Sequence, residues 1–134
     1  MRRRVRAVII EDGKVLTIRR HRPDKDKHFW VFPGGGREED EADVQALVRE
    51  VSEELGIAIE IESWYATELF KGPEDKEAQE EVFYLCHIRQ RSGEIRYIDA
   101  PKNGTYDPEW LEISRIKPDM LLEPLAIRDR LIGE

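Results

Sequence analysis

The chain has 134 residues, of which 40% are hydrophobic and 38% are charged, and its formal net charge is −7. This length fits one core, so residues 1–134 are expected to form a single domain, and no apolar run approaches the roughly 20 residues that a membrane helix needs. The acidic balance disfavours a nucleic-acid binder, and the single cysteine, Cys86, with no signal peptide, predicts a cytoplasmic protein with one buried, unreactive thiol.

The chain predicts strands, a helix, further strands and a second helix, in that order. Runs rich in β-branched and aromatic residues predict strands at residues 5–10, 14–20, 29–32, 57–70, 82–88 and 95–98, with a short ordered piece at 110–113. Polar segments with Gly or Pro predict loops at residues 21–28, 34–41, 71–79 and 100–108. Asp12-Gly13 favours a tight turn between the first two strands. This order predicts an α/β domain with a mixed sheet between helices.

Residues 42–55 predict the first helix. Its apolar residues recur at helical spacing and are expected to form one buried stripe, namely Val44, Leu47, Val48, Val51 and Leu55. Asp40 is the expected N-cap, and Gly56 stands where a helix commonly ends. A second helix is expected over residues 122–132, beginning near Pro124.

Three carboxylates recur on one side of the first helix. Glu50 and Glu54 are four residues apart, and Glu53 is three from Glu50, so the three side chains share a face. Like charges at this spacing destabilise a helix by a few tenths of a kcal/mol per pair. Hard divalent cations such as Mg²⁺ prefer oxygen ligands and would offset that repulsion. The alternative is a solvated acidic face, but a glycine turn at residues 34–36 precedes the cluster and favours a cation and phosphate site.

The spacing of these residues resembles the signature of the Nudix hydrolases. Gly35 is followed after five residues by Glu41, after seven more by Arg49-Glu50-Val51, and then by Glu53-Glu54 and Gly56-Ile57. The resemblance implies a Nudix-type α/β/α sandwich. It also implies Mg²⁺- or Mn²⁺-dependent hydrolysis of a nucleoside diphosphate linked to another group. Glu41 and Arg49 would then form an ion pair that ties the loop to the helix.

The resemblance implies further roles for residues that match the motif. Glu50, Glu53 and Glu54 would be the catalytic metal ligands, and one of them, Glu50 or Glu53, would assist deprotonation of the attacking water. A backbone carbonyl near Gly34 or Gly35 would complete the metal shell. Family members often add a late acidic residue, for which the candidates are Asp99, Asp107 and Glu109.

The substrate is less well specified. Arg19 or Arg20, at the end of the second strand, could bind substrate phosphates, although both equally suit a charged surface. The loops at 71–79 and 100–108 are expected to contact the rest of the substrate. A nucleoside triphosphate, a nucleotide sugar or ADP-ribose, and a dinucleoside polyphosphate all remain open.

Two positions bear on this choice. In MutT-type members, an Asn before a Glu-Pro pair reads oxidised guanine, whereas this chain has Leu122 before Glu123-Pro124. A leucine offers no amide donor and acceptor, so that selectivity is not predicted. Pro73 lies one residue from the proline that ADP-ribose hydrolases carry.

Two other functions remain open: a catalytically inactive Nudix-fold module that senses nucleotides for regulation, and an RNA 5′ pyrophosphohydrolase. The complete set of motif glutamates favours catalysis over sensing, and the acidic charge disfavours RNA. The expected partner is a nucleotide-type small molecule rather than a membrane or a nucleic acid. A homodimer is compatible with the resemblance.

Overall fold

The structure is a computed structural model that describes residues 2–24, 27–70, 78–91, 93–99 and 104–133. Its elements are β1 Arg2–Glu11, β2 Lys14–His21, β3 Phe29–Val31, β4 Gly34–Gly36, α1 Asp43–Leu55, β5 Ala58–Phe70, β6 Gln79–Gln90, β7 Thr105–Glu112, β8 Leu122–Glu123 and α2 Leu125–Gly133. In these ranges, no helix is long and apolar enough to cross a membrane.

The described strands form one mixed sheet. Strands β5, β6, β1, β2, β3 and β8 are neighbours in that order, while β4 pairs with β1 and β7 pairs with β2. The β1–β6 and β3–β8 pairs are parallel, and the remaining pairs are antiparallel. This sheet with two helices confirms the predicted α/β class.

The sheet has a separate hydrophobic core on each face. Val5, Ala7 and Ile9 of β1 pack in one buried cluster with Leu47 of α1. Val8 of β1 packs in a second buried cluster, with residues of α2. Because side chains alternate between the faces of a strand, α1 and α2 lie on opposite faces of the sheet. The predicted α/β/α layering is therefore present.

The predicted hairpin between β1 and β2 is confirmed. Ile10 pairs with Val15 and Glu11 with Lys14, so the turn has two central residues. Asp12 has φ 51° and Gly13 has φ 74°, which is the combination that a type I′ turn requires.

Helix α1 begins at a different residue from the one predicted. The residue before its first turn is Ala42 rather than Asp40, and it has no side-chain oxygen to cap the helix. Instead, the Gln45 side chain accepts a hydrogen bond from the Ala42 N–H at 3.0 Å. The predicted end is confirmed, since Gly56 adopts the left-handed conformation at φ 66° and donates to the Ser52 carbonyl at 2.9 Å.

The predicted apolar stripe of α1 is wrong at two positions. Val44 and Val48 are 48% and 37% exposed, whereas Leu47, Val51 and Leu55 are buried as expected. The buried face of the helix instead includes Ala46. Periodicity gave the correct helix, but the sheet contacts a narrower and slightly rotated face of it.

Three predicted segments differ because contacts with distant parts of the chain override local sequence signals. Residues 34–36 were predicted as loop but form β4 against β1. Residues 95–98 were predicted as a strand but form no ladder, and Ile98 donates instead to the Glu54 carbonyl at 2.7 Å. Residues 105–108 were predicted as loop but belong to β7, which pairs with β2.

The C-terminal segment also differs from its prediction. Residues 122–123, part of the stretch predicted as helical, form β8, while α2 begins at Leu125, next to the start predicted near Pro124. The predicted loop residues 71–77 and 100–103 lie outside the described residues. Cys86 is buried and free as predicted, and burial raises the pKa of its thiol to about 12.

A charged network fixes the start of α1 to the sheet. Arg3 of β1 donates from Nε and Nη2 to the two carboxylate oxygens of Asp43, at 2.8 and 2.6 Å. The Tyr84 hydroxyl of β6 donates to the same carboxylate at 2.7 Å. Burial alone would raise the pKa of Asp43, but the hydrogen bonds from Arg3 and Tyr84 outweigh burial and lower it.

We expect Asp43→Asn to reduce the free energy of unfolding by about 1–2 kcal/mol at neutral pH, because it removes charge-assisted hydrogen bonds from a largely buried group. A depressed carboxyl pKa stabilises the fold above the ordinary pKa and ceases to do so as the pH falls, so the difference from wild type should shrink in acid. Urea unfolding at several pH values measures this. Asp40→Asn, an exposed control, should change little at any pH.

Candidate functional site

Two glycines let the β4 backbone pass close to its neighbours. Gly34 has φ 141°, and a Cβ there would overlap the carbonyl oxygen of Val5 on β1. A Cβ at Gly35 would overlap the carboxylate of Glu50, whereas one at Gly36 would meet nothing within 4 Å. Position 34 therefore needs glycine because its backbone lies directly against β1, whereas a side chain at position 35 would displace the Glu50 carboxylate of α1.

The carboxylate of Glu54 lies against β4. Its Oε1 accepts a hydrogen bond from the Gly34 N–H at 2.8 Å. Burial raises the pKa of Glu54 to about 7 because it penalises the charged form, and the carboxylates of Glu50 and Asp99 act in the same direction. The Gly34 N–H and the Arg6 guanidinium oppose this shift without cancelling it. Glu54 would therefore be stabilised in its charged form by an additional nearby cation.

Glu50 lies one helical turn earlier, next to Gly35. Burial raises its pKa, while Arg49, which donates to Glu50 Oε1 at 3.2 Å, acts in the opposite direction. Glu50 also raises the pKa of Glu54 through charge repulsion. The two side chains are thus partly desolvated carboxylates at close range, and two such groups repel each other unless positive charge lies near them.

Arg49 links the motif loop to the helix. Its Nε and Nη2 donate to the two carboxylate oxygens of Glu41 at 2.7 Å each, and Nη2 also donates to the Gly36 carbonyl at 3.2 Å. The Arg49 hydrogen bond holds the pKa of Glu41 at about 2. The same guanidinium lies 3.3 Å from Oε1 of Glu53, whose side chain is 53% exposed. Glu41 and Arg49 therefore form the ion pair that the sequence suggested.

Arg6 of β1 belongs to this site, although the sequence analysis gave it no role. Its Nη1 donates to the carbonyl oxygens of Phe32 and Gly34 at 3.2 Å, and its Nε donates to Glu81 at 3.1 Å. Its charge also acts to lower the pKa of both partly buried motif carboxylates. A signal was available in the sequence, since a charge inside an otherwise apolar strand is rarely buried without partners.

The structure separates the three candidates for a late acidic ligand. Asp99 lies close enough to Glu54 to raise its pKa. Asp107, in contrast, pairs with Arg19 at 3.8 Å. Glu109 accepts a hydrogen bond from the Trp30 indole at 2.6 Å. Asp99 therefore acts on a motif glutamate through its charge, whereas Asp107 and Glu109 bind side chains of β2 and β3.

Arg19 and Arg20 interact mainly with β7 and its neighbours. The Arg20 guanidinium lies 3.6 Å from the ring centroid of Tyr106, and the Tyr106 ring stacks on Tyr97 at 4.6 Å. Burial raises the pKa of Tyr97 to about 12, and the nearby Glu54 adds to the shift. The stacked side chains of Arg20, Tyr106 and Tyr97 thus extend towards Glu54. Arg19 instead forms an ion pair with Asp107 of β7.

A cavity of about 500 Å³ adjoins the motif on the α2 side of the sheet. Its walls combine apolar and polar side chains, namely Arg4, Arg6, Val31, Phe32, Phe70, Gln79, Glu81, Phe83, Glu123, Pro124 and Leu125. Arg6 borders both this cavity and the carboxylate site. Leu122 is fully buried in the core and does not line the cavity, whereas the next residue, Glu123, does. Pro73 lies outside the described residues.

The donor set fits a hard divalent cation in chemistry, although the side chains are not yet gathered around one point. In the described part of the chain, no three His, Cys, Asp or Glu side chains form a preassembled cluster. Instead, Nη1 of Arg49 donates to both Glu50 and Glu53, at 3.2 and 3.3 Å. Even so, oxygen donors from adjacent helical turns, with raised pKa values at Glu50 and Glu54, are the groups that Mg²⁺ selects.

The three glycines of β4 should respond differently to alanine. Gly34→Ala should lower the free energy of unfolding by on the order of 2 kcal/mol or more, since the new Cβ meets backbone atoms at an unfavourable φ. Gly36→Ala should stay within about 0.5 kcal/mol of wild type. Gly35→Ala should lie between them, because the flexible Glu50 side chain can turn away. Chemical denaturation of all three variants measures this order, and equal losses would contradict the assignment.

Glu54→Gln should raise the melting temperature by a few degrees at pH 8 in EDTA. The raised pKa means that the folded state binds a proton between about pH 4.5 and about 7 that the unfolded state releases, so stability falls as the pH rises through this window. The glutamine oxygen still accepts the Gly34 N–H. Below this window the gain should vanish. Thermal melts at several pH values test this, with Glu53→Gln as the exposed control that should not reproduce the pattern.

Comparisons with known proteins agree with this geometry. The family model of the NUDIX domain matches residues 1–131. The CTP pyrophosphohydrolase of Escherichia coli (strain K12) is 43% identical over 63 residues, which are 47% of this chain and 47% of that protein. The chain therefore matches about half the length of this curated relative.

Two solved structures resemble the chain over nearly its whole length. A MutT Nudix hydrolase from Burkholderia pseudomallei gives a TM-score of 0.75 at 28% identity, covering 98% of this chain and 97% of that one. The E. coli ORF135 protein gives 0.70 at 27% identity, covering 98% and 86%. With the motif geometry and the family match over residues 1–131, these likenesses lead to one conclusion: the chain belongs to the Nudix hydrolase family.

Proposed function

We propose that the chain is a divalent-metal-dependent pyrophosphohydrolase that cleaves the pyrophosphate linkage of a nucleoside diphosphate derivative. The observation that carries the proposal is the contact between the β4 glycines and the carboxylates of Glu50 and Glu54, beside a cavity of about 500 Å³. Such a cavity lies within the size range of small-molecule sites. The carboxylates and the cavity would receive the phosphates and the nucleoside, respectively.

The chemistry explains why carboxylates serve an anionic substrate. A bound Mg²⁺ or Mn²⁺ supplies charge neutralisation at phosphate oxygens and lowers the pKa of a coordinated water. Glu50, Glu53 and Glu54 would hold this ion, with a carbonyl oxygen of Gly34 or Gly35. Glu54 is fixed by the Gly34 N–H and therefore suits a ligand, so Glu50 or Glu53 is better placed to accept a proton from the attacking water.

The supporting residues keep these carboxylates in place. The bidentate Glu41–Arg49 pair fastens the motif loop to α1, and Arg6 fastens the Phe32 and Gly34 carbonyls to β1. Both cations also offset the repulsion among the carboxylates. Binding of a divalent ion would then require Arg49 to release Glu50 and Glu53 while keeping Glu41.

A nucleoside triphosphate is the substrate class that we place first. The cavity walls include Phe70, which is 41% exposed, and an aromatic ring provides a surface on which a base can stack. The E. coli relative is named for its action on CTP, which supports the same class. Nucleotide sugars, ADP-ribose and dinucleoside polyphosphates remain the alternatives. The proposed setting is the cytoplasm, supported by the single cysteine and its burial.

Phosphate or pyrophosphate release from a panel of these nucleotides with Mg²⁺ tests the proposal. We expect Glu53→Gln and Glu54→Gln each to reduce kcat/KM about 100-fold or more, because each removes a charged ligand from the reacting centre. Gly35→Ala should also lose activity while staying folded, since it displaces the Glu50 carboxylate. Glu39→Gln, the same change as in the glutamate variants at an exposed position of the motif loop, is the matched control and should remain active.

The same assay should show activity rising towards alkaline pH and abolished by EDTA, since water must lose a proton with the help of the metal. Full activity in EDTA, or a maximum below neutral pH, would contradict the mechanism. Nucleotide binding without any turnover would favour the sensing module instead. Turnover restricted to a triphosphorylated RNA oligomer would favour the RNA 5′ pyrophosphohydrolase.

A further inference from the structure

We propose that Arg4 selects the nucleobase, favouring bases that present two adjacent hydrogen-bond acceptors, which are cytosine through O2 and N3 and guanine through O6 and N7. This inference rests on the proposed function, because it assumes that a nucleotide enters the cavity next to the motif. It adds a specificity-determining residue to that function.

The backbone of Arg4 is held by the sheet. The residue lies near the start of β1, paired with Gly36 of β4 on one side and with Glu81 of β6 on the other. Its half-buried side chain lines the cavity together with that of Arg6. A side chain on a central strand keeps its position better than one on a loop, which suits a residue that reads a base.

Within the described part of the chain, the Arg4 side chain differs from its neighbours in having no hydrogen-bond or ion-pair partner. Arg3 is bound by Asp43, and Arg6 by Glu81 and two backbone carbonyls. No hydrogen bond or ion pair to Arg4 occurs among the residues that the structure describes. Burial and the adjacent charge of Arg6 lower its pKa. Because partial burial disfavours the charged form of the guanidinium, a ligand that offers acceptors in the cavity would stabilise it.

The guanidinium group restricts what can bind. It offers a planar fork of N–H donors and no acceptor, so its best partner has two acceptors side by side. Cytosine and guanine each have such an edge, and arginine pairs with guanine O6 and N7 in this way elsewhere. Adenine and uracil alternate donors and acceptors along their edges. Oxidised guanine carries a proton on N7 and also lacks the pair.

The other polar residues of the cavity complement the same two bases. Glu123 and Gln79 line the cavity, and within the described residues their side chains form no hydrogen bond. A carboxylate or an amide oxygen there can accept from an exocyclic amino group, which both cytosine and guanine carry. Other parts of the cavity wall are apolar, and a hydrogen bond beside apolar groups is electrostatically stronger than one in water.

Binding of the four nucleoside monophosphates tests the inference, because they contain no pyrophosphate linkage to hydrolyse. Calorimetry with and without Mg²⁺ should show wild type binding CMP and GMP at least about 5-fold more tightly than AMP and UMP, the low end for a bidentate base contact. Arg4→Lys keeps the charge and loses the fork, so it should remove this preference and leave AMP and UMP affinities within about 2-fold. Arg4→Gln should do the same. Arg2→Gln, an exposed neighbour on the same strand, is the control and should preserve the preference.

Steady-state kinetics with CTP, GTP, ATP and UTP provide a second measurement. For CTP and GTP, Arg4→Lys should raise KM by the same factor by which it weakens the binding of CMP and GMP, with kcat within about 2-fold of wild type. The kinetics with ATP and UTP should be nearly unaffected. An equal loss for all four nucleotides would show that Arg4 binds phosphate and would overturn the inference. A wild type without base preference would also overturn it. If the base preference appears in binding but no nucleotide is hydrolysed, the proposed hydrolysis fails while the role of Arg4 stands.

Discussion

The close contact of the β4 backbone with β1 and α1 is the constraint on which the rest of the site depends. A Cβ at Gly34 would overlap the Val5 carbonyl, and a Cβ at Gly35 would overlap the Glu50 carboxylate. This contact brings the Gly34 N–H to Glu54 at 2.8 Å. Because Gly34 and Gly35 have no side chains, the carboxylates of α1 lie directly against the backbone at the sheet edge, where the cavity also begins.

That arrangement concentrates negative charge, and two arginines offset it from different directions. Arg49 reaches the motif carboxylates from within α1 and also binds Glu41, whereas Arg6 reaches them from β1. Neither cation abolishes the effect of burial, since the pKa values of Glu50 and Glu54 remain raised. The folded chain therefore holds carboxylates in a state that additional positive charge would stabilise, which is the physical basis of the proposed metal site.

Strand β1 organises the molecule through alternation. Arg3 extends towards α1 and fixes its first turn through Asp43, while Arg4 and Arg6 extend into the cavity on the other face. Arg6 contacts the carbonyls of Phe32 and Gly34, and the Arg4 side chain has no protein partner among the described residues. One strand therefore supports the proposed reacting centre and contributes to the proposed base site. The two tasks share a scaffold because side chains alternate across a strand.

Local patterns in the sequence determined the type I′ hairpin at Asp12-Gly13, the end of α1 at Gly56 and the family, since turn chemistry and motif spacing act over a few residues. Only the tertiary structure decided that Val44 and Val48 are exposed and that β4 pairs with β1. It also decided that Asp99 acts on Glu54 while Asp107 and Glu109 bind other side chains. Periodicity shows which residues share a face, but only packing selects the face that is buried. Likewise, the sequence shows which residues are charged, but partners far along the chain determine which charges are neutralised and which remain available to a ligand.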